Sequence, residues 1–120
     1  MNDYNLKVKL YVENEDDKFM GIGVLWLLQG VSRCGSLRAA AIDLGISYSK
    51  AFKMIENLEK ALGHEVLSRK RGGASRSGAS ITPYGLAFMN LYDDFQKECK
   101  AMLKAPFDAF CENLKKIEEV

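Results

Sequence analysis

The chain has 120 residues, 48% of them hydrophobic, which is enough for one domain with a buried core. Its net charge of +1 argues against indiscriminate coating of nucleic acid. The sequence contains no run of about 18 apolar residues, and no basic segment followed by an apolar one opens it. We therefore expect a cytoplasmic protein that does not associate with a membrane.

The cysteines and the single histidine exclude several kinds of site. Cys34, Cys99 and Cys111 are widely spaced and form no Cys-x-x-Cys pair, so neither a disulfide framework nor a zinc site is expected. Each is predicted to lie on an apolar helical face, where cysteine is usually a small hydrophobe. His64 has no Ser/His/Asp set around it, and no phosphate-binding loop is visible. We expect no catalytic residue, no metal and no cofactor.

The N-terminal segment is predicted to form a β-hairpin. Apolar and polar residues alternate over residues 4–13, which indicates a strand with one buried face. A polar turn follows, and Phe19 and Met20 form a short returning strand before Gly21. We interpret this hairpin as structural cover.

The next segment predicts a helix from Ile22 to Cys34 that is apolar on two sides. One face should pack on the following helices and carries Val24, Leu27, Leu28, Val31 and Cys34. The opposite face is of mixed polarity and carries Ile22, Leu25, Trp26, Gln29 and Arg33. A subunit interface would cover this second face, although a C-terminal helix of the same chain could also cover it.

Residues 35–63 predict two helices around a tight turn. Ser36 can cap a first helix whose alanines at 39–41 allow close approach of another helix. Gly45 ends this helix, Ile46 fills the corner and Ser47 caps a second, longer helix. This is the helix-turn-helix arrangement, whose second helix enters the major groove of DNA.

The second helix has one apolar and one polar face. Its predicted buried stripe is Ala51, Ile55, Leu58 and Leu62. The opposite face could read base edges or could simply be solvated, and it carries Tyr48, Ser49, Lys50, Lys53 and Asn57.

A basic hairpin is predicted after the second helix. Residues 64–69 form a short strand, Ser80 and Ile81 form its partner, and the loop between them is rich in Gly, Ser and cations. No acidic residue occurs from 66 to 92. We therefore favour phosphate contacts over a solvated hairpin tip, made by Arg69, Lys70, Arg71 and Arg76.

A long helix is predicted to close the chain. Thr82 caps it, Pro83 takes its first position, and Pro106 should kink it. Its apolar stripe is Tyr84, Phe88, Leu91, Tyr92, Phe95, Cys99, Met102 and Leu103, extended by Phe110, Leu114 and Ile117. The stripe is longer than one small domain can cover, so we expect it to pair with a second subunit, while packing on the first helix is the alternative. The expected dimer interface is Ile22, Leu25, Trp26, Gln29, Phe88, Tyr92, Phe95, Cys99 and Met102.

The predicted fold class is mainly α with small β elements: a single winged helix-turn-helix domain over residues 1–120. It consists of a hairpin (1–20), the helix-turn-helix with its wing (22–82) and the long helix (83–120). This order of elements resembles the DNA-binding domain of ModE-type molybdate-responsive regulators. The residues that carry the resemblance are the 6–10 segment, Gly35-Ser36-Leu37, Ala39-Ala40, Leu44-Gly45-Ile46-Ser47-Tyr48, Ala51, Ile55, Arg69, Gly72-Gly73 and Thr82-Pro83 with Gly85. LysR-type regulators share several of these motifs but typically begin at the first helix.

The resemblance implies a prokaryotic transcription regulator that binds double-stranded DNA as a homodimer. The best-known ModE-type members carry molybdate-binding domains after this part, and the sequence ends at Val120, so we expect no direct binding of molybdate. The expected DNA contacts are Ser36, Ser47, Tyr48, Ser49, Lys50, Lys53, Asn57, Arg69, Lys70, Arg71 and Arg76. The alternative is a protein-interaction or architectural module that recruits a partner through its long helix.

Overall fold

A computed structural model describes residues 3–15, 17–69 and 78–118. In chain order the elements are β1 (Val12–Glu13), β2 (Lys18–Met20), α1 (Ile22–Cys34), α2 (Leu37–Leu44), α3 (Tyr48–Leu62), β3 (Leu67–Arg69), β4 (Ala79–Ile81), α4 (Pro83–Met102) and α5 (Lys104–Glu118). The predicted fold class, helical with small β elements, is confirmed. The prediction that residues 1–120 form one domain stays a prediction.

The N-terminal hairpin is shorter than the alternating pattern predicted. β1 pairs antiparallel with β2 only through Val12 with Met20 and Glu13 with Lys18. The prediction of a strand over residues 4–13 holds only for Val12–Glu13, because residues 3–11 are outside any strand. The predicted alternation is seen in part, since Val8, Leu10 and Val12 are half-buried, but Leu6 is 48% exposed. β2 ends at Met20, where Gly21 leads into α1, so no partner backbone remains for a longer strand.

Helix α1 is the centre of the core. It has the predicted bounds, and Leu27, Leu28 and Val31 are buried as expected. A Cβ on Gly30 would lie 3.0 Å from the Cβ of Ala40, so glycine lets α1 and α2 approach closely. Cys34 is exposed rather than on a packed face, because it is the last residue of α1.

The helix-turn-helix formed as the capping residues predicted. The Ser36 hydroxyl accepts from Ala39 N at 3.0 Å, and the Ser47 hydroxyl accepts from Lys50 N at 3.1 Å. Gly45 adopts a left-handed conformation with φ of 76°, which ends α2 and turns the chain into α3. The buried stripe of α3 is confirmed for Ala51, Ile55 and Leu58.

The segments after α3 agree with the predicted order. β3 begins at Leu67 instead of 64 and pairs antiparallel with β4. Thr82 caps α4, its hydroxyl accepting from Gly85 N at 2.9 Å, with proline in the first turn.

The long helix divides in two near Pro106 as predicted, with the break at Leu103. Pro106 has no N–H to donate to the carbonyl oxygen of Met102, the last residue of α4, so the break lies where the proline interrupts the ladder and the proline itself falls in the first turn of α5. Within the part of the chain that the structure describes, no helix is long and apolar enough to cross a bilayer.

Candidate nucleic-acid interface

The N-terminal half of α3 presents a row of exposed polar side chains. Tyr48, Ser49, Lys50 and Lys53 are all exposed. Ser49 and Lys53 lie opposite the buried stripe of α3, whereas Tyr48 lies on the side of the stripe and is exposed as the first residue of the helix. The Ser47 cap fixes where this helix begins and therefore where the row starts. The N-terminal end of α3 therefore carries an aromatic ring, hydroxyl groups and lysine ammonium groups on an exposed surface that can enter a groove.

Arg38 joins this row from the neighbouring helix. It is the second residue of α2, and its guanidinium carbon lies 4.5 Å from the centroid of the Tyr48 ring. The Tyr48 and Phe52 rings are 6.2 Å apart and tilted, and both side chains are 38% exposed. Our sequence reasoning missed Arg38 and Phe52. The sequence does carry a signal for Arg38. It is an arginine on the exposed side of α2, and an aromatic residue begins the next helix, α3, directly after the turn.

Lys53 and Asn57 of this face have neighbours that restrict their side chains. Lys53 Nζ lies 3.4 Å from Glu56 Oε1, with both side chains more than half exposed. Asn57 does not project fully into solvent as predicted, because it is half-buried and lines a groove with Lys18 and Phe19 of the hairpin. The exposed face of α3 is therefore basic at its N-terminal end, and its solvent-exposed width decreases toward Asn57.

The base of the β3–β4 hairpin is fixed to the helix-turn-helix by hydrogen bonds. Glu59 Oε2 on α3 accepts from Val66 N at 2.8 Å and from Leu67 N at 3.2 Å. On the other strand, Ala79 N donates to the carbonyl oxygen of Gly35 at 2.8 Å. The hairpin therefore leaves the core at an angle that α3 and the α1–α2 turn determine together.

Helix α4 closes against the same hairpin. Thr82 N donates to the Val66 carbonyl oxygen at 3.0 Å, and the Thr82 hydroxyl donates to that of Glu65 at 2.7 Å. A Cβ on Gly85 would come within 2.7 Å of the Val66 oxygen, so the glycine is required for this approach. His64 stacks on Tyr84 with ring centroids 4.2 Å apart.

The predicted phosphate-binding residues are only partly visible. Arg69 is the last residue of β3. Lys70, Arg71 and Arg76 lie outside the described residues. Ser36 and Ser47, also expected to contact DNA, use their hydroxyl oxygens to cap α2 and α3.

The predicted dimer residues fall into two groups. Leu25 is 2% exposed and Tyr92 is 4% exposed, so both belong to the core of their own chain and the expectation that they face a second subunit is wrong. α1 contacts α2, α3 and α4 of its own chain, and Leu25 belongs to the buried core cluster. The remaining members are half-buried or exposed: Ile22, Trp26, Gln29, Phe88, Phe95, Cys99 and Met102.

A line of apolar side chains runs along α4 and α5 and remains largely exposed. We call it the apolar strip; on α4 it consists of Tyr84, Leu91, Phe95 and Met102, which are 37%, 69%, 48% and 71% exposed. On α5 it continues through Phe110, Leu114 and Ile117, at the three- and four-residue spacing of a coiled-coil seam, with Leu114 half-buried. Phe107 is half-buried and faces a groove shared with Trp26 of α1.

Among the described residues, no group of three or more His, Cys, Asp or Glu side chains is arranged to hold a metal ion. The site consists of α3, which has exposed lysine and hydroxyl side chains, and of the adjacent β3–β4 hairpin, whose orientation is fixed by hydrogen bonds.

The model of the bacterial regulatory helix-turn-helix proteins of the lysR family matches residues 24–86. The chain belongs to this family.

ModE regulators are among the relatives of this lysR-family chain. ModE of Haemophilus influenzae is 28% identical over 89 residues, which are 74% of this chain and 35% of ModE. The transcriptional dual regulator ModE of Escherichia coli K12 is 36% identical over 67 residues, 56% of this chain and 26% of ModE. The chain thus spans about a third or less of the length of these relatives. The resemblance to ModE-type and LysR-type regulators is confirmed.

Solved structures show the same fold. The CbnR DNA-binding domain in complex with DNA superposes with a TM-score of 0.59 and 23% identity, covering 75% of this chain and 98% of that domain. The BenM DNA-binding domain on its benA site 1 DNA gives a TM-score of 0.54 and 24% identity, covering 75% and 96%. At these identities the likeness establishes the winged-helix fold.

Proposed function

We propose that this protein is a sequence-specific, DNA-binding transcription regulator that acts as a homodimer in the cytoplasm. In this proposal α3 enters the major groove and the β3–β4 hairpin contacts the backbone. Double-stranded DNA is its proposed partner, and no catalytic role is proposed for the protein.

The exposed row at the start of α3 is the observation that supports the proposal. Tyr48, Ser49 and Lys50 occupy the N-terminal turn, which is the part of a recognition helix that usually reaches base edges. The relatives named above are transcriptional regulators, and the CbnR and BenM domains of the same fold were solved on DNA. Arg38, stacked on Tyr48, adds a cation beside the row and is proposed to bind a phosphate.

Selection of bound sequences from random duplex DNA at two salt concentrations tests this function. An enriched inverted repeat is the expected result for a sequence-specific dimer. If the dimer neutralises about six to ten phosphates, raising salt from about 50 to 200 mM weakens binding by about 10³ to 10⁵. A salt-independent affinity would contradict the electrostatic part of the proposal, and the absence of enrichment would contradict sequence reading.

Substitutions separate base reading from backbone binding. Lys53→Ala should change the relative affinity for different sites, whereas Arg38→Ala and Arg71→Ala should weaken all sites by similar factors. Lys115→Ala, on the last turn of α5, removes the same charge far from α3. It should change neither the relative affinity for different sites nor the overall affinity for DNA. The reverse pattern would show that the reading and clamping roles have been exchanged.

Dimerisation is proposed to use the apolar strip. Exposed apolar side chains at coiled-coil spacing on two successive helices favour the same strip of a second copy as partner. Phe95→Asp places a charge in the middle of the strip and should yield monomers in sedimentation equilibrium. Asn90→Asp adds the same charge on an exposed α4 position outside the strip and should leave the dimer intact. Dimers of the Phe95 variant as tight as wild type would exclude this interface.

The apolar strip also favours the second candidate function, a module that recruits another protein. Capture from lysate with and without nuclease distinguishes the two. Partners that persist after nuclease and disappear with Phe95→Asp would support recruitment, while recovery that depends on DNA would support the regulator.

A further inference from the structure

A groove separate from α3 combines an apolar floor with lysines at its edge. Its cavity volume is about 430 Å³. Its apolar lining, which we call the floor, consists of Leu6 and Val8 of the N-terminal segment, Ile22 and Trp26 of α1, and Phe107 of α5. We infer that this groove binds a small organic anion, with an apolar body on the floor and a carboxylate or phosphate head among the lysines.

The charge around the groove has one sign. Its ionisable lining residues are Lys7, Lys9, Lys100 and Lys104. Lys104 is paired with Asp108 on α5, with Nζ 2.9 Å from Oδ2. Within the described part of the chain, Lys7, Lys9 and Lys100 form no direct ion pair. Lys100 helps to lower the pKa of Asp93, so Lys7 and Lys9 are the ammonium groups most available to an anionic head.

The size and the floor favour a small molecule over a macromolecule. A volume of this order lies within the roughly 300–1,000 Å³ of ligand pockets, which are mostly apolar with a few polar groups. A DNA backbone has no apolar body to cover Trp26 and Phe107. The lining comes from the N-terminal segment, α1 and the α4–α5 junction, and none of it from α2, α3 or the β3–β4 hairpin. The inference therefore stands independently of DNA binding.

Trp26 makes the groove directly observable. It is the only tryptophan of the chain and is 52% exposed, so a ligand body that removes it from water should shift its emission to shorter wavelength. Octanoate, octyl phosphate and 1-octanol share one apolar body, differ in head group and do not absorb where tryptophan does. Titration of the intact chain with each probe measures both parts of the site.

We expect octanoate or octyl phosphate to bind at least about fivefold more tightly than 1-octanol, since two or three partly solvated charge contacts contribute that much. The tighter of the two anions identifies the head group. Lys9→Gln with Lys100→Gln should weaken anion binding by about fivefold or more and leave 1-octanol unchanged. The matched control, Lys115→Gln with Lys116→Gln, removes two exposed α5 charges outside the groove and should have no effect.

Three results would overturn the inference. One is equal binding of 1-octanol and the anions with no effect of the lysine pair, which would make the groove merely apolar. Another is the absence of any Trp26 emission change with all three probes. The third is displacement of the anion by duplex DNA together with an equal loss of DNA affinity in the Lys9/Lys100 variant, which would assign these lysines to DNA.

Discussion

Glu59 connects α3 to the β3–β4 hairpin. Although Glu59 is only half-buried, we expect its replacement by alanine to destabilise the protein strongly. One carboxylate oxygen accepts from the backbone N–H groups of Val66 and Leu67, both of which belong to the buried core. Glu59→Ala leaves both donors without this acceptor. At about 1–2 kcal/mol for each unsatisfied buried donor, the loss is about 2–4 kcal/mol, a large part of the roughly 5–15 kcal/mol of a typical domain.

Urea unfolding followed by circular dichroism, at a fixed protein concentration, measures this loss. With an m-value of about 1.5 kcal/mol/M, the midpoint should fall by about 1.3–2.7 M. Glu59→Gln should lose less, because its amide oxygen can still accept from both N–H groups. Glu56→Ala is the matched control on α3, since its only described contact is the exposed pair with Lys53, and it should change stability by less than about 0.5 kcal/mol. Equal midpoints for the Glu59 and Glu56 alanine variants would refute the reasoning.

Three further predictions concern packing, a buried hydroxyl and a helix cap. Gly85→Ala should destabilise the fold by more than about 1 kcal/mol because the new Cβ would meet backbone, whereas Gly23→Ala, with open space around it, should be neutral or stabilising in the same thermal melt. Tyr92→Phe removes the hydrogen bond to the Leu10 carbonyl, 2.8 Å long, at a cost of about 1 kcal/mol. Burial, together with the nearby Tyr11, raises the pKa of Tyr92 above its ordinary value, so the stability it provides is complete below about pH 10 and is lost as pH rises further. Unfolding midpoints across pH 8–11 should therefore fall less in the Phe variant, and parallel curves would contradict this. Ser47→Ala should cost about 1 kcal/mol and weaken DNA binding by loosening the start of α3, and an unchanged melt would show that the cap is dispensable.

Local residue chemistry was sufficient to predict the helices from the sequence. Ser36, Ser47 and Thr82 accept from backbone N–H groups three residues ahead, and Gly45 adopts the left-handed conformation that ends a helix. These interactions lie within a few residues, so a sequence displays them completely. The exposure of Ser49 and Lys53, which lie opposite the buried stripe of α3, also followed from periodicity. The exposure of Tyr48 did not, because it shares a helix face with Ala51 and Ile55.

Contacts between distant segments could not be predicted in this way. Alternation indicated a strand over residues 4–13, but the length of β1 depends on its short partner β2. The mixed face of α1 predicted Leu25 at a subunit interface, yet the helices of its own chain bury it. Arg38 reached Tyr48 only because the turn brings α2 against α3.

The sequence alone thus determined which segments are helical, where α1, α2 and α3 begin and end, and which side of α3 is polar, because these depend on caps, turns and periodicity. Tertiary structure decided which apolar faces remain uncovered. Burial of a side chain depends on which distant elements pack over it, and that packing left the strip on α4 and α5 exposed while enclosing Leu25 and Tyr92. Tertiary structure also brought Lys7 and Lys9 beside Trp26 and Phe107. The groove that these residues line cannot be predicted from local sequence patterns, because its lining comes from separate segments of the chain.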